Sequence, residues 1–130
     1  MIVDARISGL SFCELSDADQ NIIATDIIAT ASAITGCNTP GTEFFFDRLR
    51  REIITFVLNF GFKELTEDEI YLALRLNARG GVRMPSGVEI EPIQFFGNTF
   101  NVDYFSKVLT NYLSLRNLLD RKLQNEIDGY

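Results

Sequence analysis

The chain has 130 residues, 46% of them hydrophobic, with a formal net charge of −6, no histidine, no tryptophan and eleven phenylalanines. That length suits one domain able to bury a core without disulfides or metals, and the apolar content argues against disorder. The charge is uneven: residues 1–47 hold seven acids against one base, Arg6, whereas residues 48–130 are neutral, so the acidic imbalance disfavours strong non-specific binding to nucleic acid.

Residues 1–15 mix small and apolar side chains without a period and read as an N-terminal arm or a short strand. Ser16 is a good N-cap, with Asp17 and Asp19 in the first turn. Ile23, Ile27, Ala31 and Ile34 then recur at helical spacing up to Gly36, a suitable residue beyond a helix end. After the Cys37–Gly41 loop, Thr42 caps a second helix, Glu43 to Phe60. Phe45, Leu49, Phe56 and Phe60 mark one face, broadened by Phe46, Ile53 and Val57, and so wide a stripe predicts a central, well-buried helix.

Thr66 and Glu69 have the spacing of a capping box, which opens a third helix carrying Ile70, Ala73, Leu74 and Leu76 and closing at Gly80-Gly81. Residues 82–100 read either as a small β-hairpin, with Pro85-Ser86-Gly87 between two short strands, or as an unusually long loop. Asn101 caps the last helix, which runs to about Ile127; its polar end, within residues 120–130, is expected to protrude or fray. The whole is a mainly α, single-domain four-helix arrangement over residues 1–130, with the hairpin between helices 3 and 4.

The search for chemistry is mostly negative. Without histidine there is no Ser-His or Cys-His pair and no ordinary zinc set. No phosphate loop or dinucleotide fingerprint is present, so no cofactor is expected and the chain reads as a non-enzyme. Cys13 and Cys37 have no metal-ligand spacing and read as reduced thiols of a cytoplasmic protein; no apolar run is long enough for a membrane span. No catalytic or metal-ligating residue is assigned. Arg48, Arg50 and Arg51 lie within one helical turn, and Arg75, Arg79 and Arg83 follow further on. If the two sets converged they would grip phosphates, the first set as direct contacts, although solvated helix faces account for them better.

The series Leu65-Thr66-Glu67-Asp68-Glu69-Ile70, Ala73-Leu74-Arg75-Leu76, Gly80, Phe95-Phe96-Gly97, Phe100-Asn101-Val102-Asp103-Tyr104-Phe105, Val108-Leu109 and Tyr112-Leu113 resembles a loose set of small helical proteins from bacteriophages and Bacteroides-type mobile elements. Some of these look like replication accessory proteins of the helicase-loader or replisome-organiser kind. The resemblance implies a non-enzymatic accessory protein acting by protein contact, with a role in DNA replication. The acidic N-terminal third suggests an alternative, an inhibitor that masks a host defence or housekeeping enzyme, and the arginines suggest a third, a nucleic-acid-binding module. A protein partner is expected, with a homo-oligomer through the first or last helix as a further expectation. The interaction surface is expected around the unusually long segment between helices 3 and 4: Arg75, Arg79, Arg83, Glu89, Glu91, Phe95 and Phe96.

Overall fold

The structure is a computed structural model. It describes residues 2–83, 89–93 and 99–128; within these, the side chains of residues 2, 3, 82, 83, 89, 90, 123 and 125–128 are outside the description.

Five helices form: α1 (Ile2–Ile7), α2 (Asp17–Thr35), α3 (Glu43–Asn59), α4 (Glu67–Ala78) and α5 (Val102–Asp128), with a 3₁₀ turn at Phe12–Glu14. Their starts follow side-chain chemistry. The hydroxyls of Ser16, Thr42 and Thr66 each accept the backbone N–H three residues on, as does the Asn101 side-chain oxygen from Tyr104. Gly36 ends α2 in the left-handed region, at φ 73°, and Gly80 and Gly81 do the same after α4, at φ 104° and 89°. A Cβ is disfavoured there, which is why these helices stop where glycine occurs.

α2 packs on α3, α3 on α5, α5 on α4 and α4 back on α2. This closes a ring of four helices in which α2 and α5, and likewise α3 and α4, stand diagonally across the core. The expected mainly α, four-helix architecture is what forms. Between α4 and α5, Val82–Arg83 (β1) pairs antiparallel with Glu89–Ile90 (β2), Val82 opposite Ile90 and Arg83 opposite Glu89. The expected Pro85-Ser86-Gly87 turn lies outside the described residues.

The first fifteen residues differ from the expected arm. α1 packs on α4, Phe12 is fully buried, and the Phe12 and Cys13 N–H groups donate to the carbonyls of Leu65 and Lys63. The aperiodic pattern concealed this because a few unevenly spaced apolar side chains, Ala5, Phe12 and Leu15, plus backbone pairing do the anchoring. α3 also departs from expectation. Only Ile53 and Val57 are fully buried, and Phe44, Phe45 and Phe60 are exposed. At ~100° per residue the true core-facing line is rotated by about 70° from the Phe45–Phe60 stripe. The helix is therefore no central element: its buried side is narrower than its apolar surface.

The core is centred on Phe12, Phe100, Phe105, Ile27, Ile28, Ile70, Leu74 and Leu109. Among them sits one carboxylate. Glu69, 1% exposed, accepts through Oε1 from the Thr66 N–H (3.3 Å) and through Oε2 from the Tyr112 hydroxyl (2.7 Å), with Arg116 Nη1 at 3.4 Å. Thr66 Oγ1 in turn donates to the Ala5 carbonyl at 2.6 Å. On the rim, Arg6 reaches Asp120 at 2.7 Å. The sequence reading gave Glu69 only its capping role; the structure adds the two α5 partners, which lie too far along the chain for a local motif to reveal.

Removing Glu69 strands a buried hydroxyl and a largely buried guanidinium. Glu69→Ala should lower unfolding stability by about 3 kcal/mol, and Tyr112→Phe by about 1 kcal/mol, both read from urea denaturation. Burial first, then the hydrogen bond to Glu69 and its charge, push the Tyr112 hydroxyl upward from its ordinary value of 10.0. A raised folded-state value stabilises below the unfolded value and is lost above it, because the unfolded chain then sheds a proton that the folded one keeps. Stability should thus fall as pH rises past 10.0, less steeply in Tyr112→Phe. Equal alkaline slopes in the two proteins would exclude Tyr112 as the source.

Candidate interaction surface

The arginine clusters do not converge. Arg48, Arg50 and Arg51 stand on α3, Arg75 and Arg79 on α4, and these two helices are diagonal in the ring, with α2 and α5 between them. Arg50 is half-buried, paired with Asp47 at 3.2 Å, and its buried Nε has no hydrogen-bond partner. Arg48 and Arg51 are exposed. Arg75 and Arg79 are exposed near the end of α4, where Arg75 lies 5.9 Å from the centre of the Tyr71 ring. Two exposed arginines at each of two separate places make a weak electrostatic footprint for a nucleic acid.

The described part of the segment between α4 and α5 is held by side-chain and backbone hydrogen bonds. Asn77 clamps Ile93, its Oδ1 accepting the Ile93 N–H at 2.7 Å and its Nδ2 donating to the Ile93 carbonyl at 3.2 Å, while Asn111 Nδ2 donates to the Glu91 carbonyl at 2.8 Å. Phe100 N–H donates to the Asn38 carbonyl at 3.0 Å, which ties the far end of the segment to the α2–α3 loop. Glu91 is exposed. Arg83 and Glu89 face each other in register across the hairpin, though their side chains lie outside the described residues, as do Phe95 and Phe96 entirely. The roles of Asn77 and Asn111 are not evident from the sequence; the one signal they carry is an asparagine inside an apolar helix pattern, which gives up helix propensity for a side-chain amide.

A polar cleft of about 490 Å³ opens between the 3₁₀ turn and α5, lined by Arg6, Cys13, Glu14, Glu64, Glu69 and Arg116. Three carboxylates face two guanidiniums, so the cleft has no single sign of charge to select an ion. Glu69 and Arg116 are committed to each other, and Arg6 to Asp120.

The feature that neither core packing nor capping explains is on α3. Taken along the helix, Phe44, Phe45, Arg48, Arg51, Glu52, Thr55 and Asn59 are all exposed and share the side opposite Ile53 and Val57. Phe44 is 67% and Phe45 60% exposed, in edge-to-face contact at 5.3 Å. Phe45 also borders an open groove of about 410 Å³, lined by Pro40, Leu49, Phe100 and Val102. At the other end Phe60, 60% exposed, stacks on Phe56 at 4.6 Å. Arg48, Arg51 and Glu52 form no ion pair among the described residues. Isolated apolar residues on a surface are ordinary, but Phe44 and Phe45 are two adjacent exposed rings at the start of one helix, and Phe60 is exposed separately at its other end, beside the packed side.

No protein-family model, curated protein or solved structure matches the chain.

If the rings of Phe44 and Phe45 serve contact rather than stability, the double substitution Phe44→Ser/Phe45→Ser should leave unfolding stability within about 0.5 kcal/mol. Phe105→Ala in the core should cost about 3–5 kcal/mol. A loss at the double variant comparable to that at Phe105, measured by urea denaturation, would place these rings in the core.

Proposed function

We propose that this chain is a non-enzymatic accessory protein that acts by binding another protein, with the outward face of α3 as its contact surface. The observation that carries the reading is the exposure of the adjacent rings Phe44 and Phe45 at the start of a helix whose apolar surface is wider than its packed side. Exposed aromatic anchors flanked by arginine are the residue types that dominate protein–protein contacts. A setting in the DNA replication of a phage or mobile element rests on the resemblance of residues 65–119 to accessory proteins of that kind. The absence of histidine and of any cofactor motif supports a role without chemistry of its own.

A second reading, an inhibitor that covers a host enzyme, is favoured by α2. Its exposed Asp17, Asp19 and Asp26 make no ion pair among the described residues, and the helix has no base. Such a face suits a basic partner surface.

Affinity capture from the native host, run in parallel with the wild-type chain and the Phe44→Ser/Phe45→Ser variant, tests the first reading. A replication protein such as a helicase should be retained by the wild type and lost by the variant; the same proteins retained by both would overturn the assignment to α3. A captured enzyme whose activity falls on binding would favour the inhibitor. Duplex DNA should give no mobility shift at low salt; a complex that weakens steeply as salt is added would move the function to the arginines.

A further inference from the structure

We infer that the partner docked on the outward line of α3 is an acidic protein segment, one that brings an apolar anchor to Phe44 and Phe45 and two carboxylates to Arg48 and Arg51. The inference rests on the reading of α3 as a contact surface and names the chemistry of what that surface binds.

The spacing of side chains along α3 carries it. Phe44, Arg48, Arg51 and Thr55 follow one another at intervals of four, three and four residues. At ~100° per residue they stay within about 60° of one another, on the side opposite Ile53 and Val57. All four are exposed, and Phe45 lies against Phe44 in edge-to-face contact at 5.3 Å. The charges on this line are Arg48 and Arg51, and neither has an ion-pair partner among the described residues. Asp47, adjacent to Arg48 in sequence, pairs with Arg50 instead.

Two unspent guanidiniums beside two exposed rings are complemented by carboxylates beside an apolar side chain. The helix sets the spacing. Arg48 and Arg51 are about 4.5 Å apart along the axis, and their midpoint is about 8 Å from Phe44. Neighbouring acids narrow the choice further. Glu43 and Glu52 are exposed on the two flanks of the line, so a partner carboxylate displaced sideways meets like charge. On α2 the exposed Asp17, Asp19 and Asp26 repel an acidic segment in the same way. A nucleic acid fits less well. Its phosphates call for a longer row of cations, and Phe44 and Phe45, inclined at 77°, offer no stacked platform for successive bases.

A random peptide library displayed on phage tests the inference, with the whole chain as bait and Phe44→Ser/Phe45→Ser as counter-bait. Peptides held by the wild type and not by the counter-bait should be acidic, with at least one aromatic or aliphatic anchor. Made synthetically and measured by fluorescence anisotropy, they should bind Arg48→Glu/Arg51→Glu at least about tenfold more weakly than the wild type. Replacing their acids by lysine should reverse that preference. The variants should share the thermal unfolding midpoint of the wild type, since all four substituted positions are exposed. Selected peptides that are basic or neutral, or that bind Arg48→Glu/Arg51→Glu as tightly as the wild type, overturn the acidic partner and leave α3 as a contact surface. A library that yields no peptide distinguishing the two baits overturns the contact surface itself. Oligothymidylate that binds the wild type and is lost in Phe44→Ser/Phe45→Ser would replace the protein partner with a nucleic acid.

Discussion

The carboxylate of Glu69 is the constraint on which the arrangement of the helices depends. A charge at 1% exposure is tolerable only with its hydrogen-bonding capacity filled, and here three groups from two chain segments fill it. The backbone of Thr66 fixes it to the start of α4, and Tyr112 and Arg116 fix it to α5. Apolar packing between α4 and α5 would tolerate sliding by a turn. A hydroxyl and a guanidinium one turn apart on α5, both meeting the same oxygen, do not. The link extends outward through Thr66 to the Ala5 carbonyl, so the position of α1 follows from the same group.

What the sequence revealed and what it concealed divide along a physical line. Local signals were legible: the caps at Ser16, Thr42, Thr66 and Asn101 and the glycine stops at Gly36 and Gly80 fixed four helices to within a residue or two, because each depends on atoms three or four residues away. The pairing of Val82–Arg83 with Glu89–Ile90 matches one of the two readings the sequence left open for that segment, and its register came only with the structure. Facing was not legible. α3 carries more phenylalanine than its two neighbours can cover, so periodicity alone could not say which of two adjacent stripes turns inward, and it favoured the wrong one. Nor were the ties made at long range, Asn77 to Ile93, Asn111 to Glu91, Tyr112 to Glu69, since a polar side chain looks the same in sequence whether it meets water or a buried partner.

For the interaction surface the error is instructive. Of the stripe that suggested a buried helix, Leu49 and Phe56 pack against the core, whereas Phe45 is exposed beside Phe44 and Phe60 is exposed at the far end. The basic residues assigned to phosphate contacts are spread over α3 and α4, at opposite corners of the ring. Attention thereby moves from the segment between α4 and α5, whose described part is pinned by two asparagines, to α3, whose outward side has aromatic anchors and unspent charge.

The partners of Glu69 also impose an order on synthesis. Tyr112 lies 43 residues after Glu69 in the chain. At roughly 5–20 residues per second of translation, about 2–7 s pass between the completion of α4 at Ala78 and the synthesis of Tyr112. During that interval the side of α4 bearing Glu69 is hydrated, and burying it would cost more than its neighbours return. The seam between α4 and α5 therefore closes only once α5 has been made.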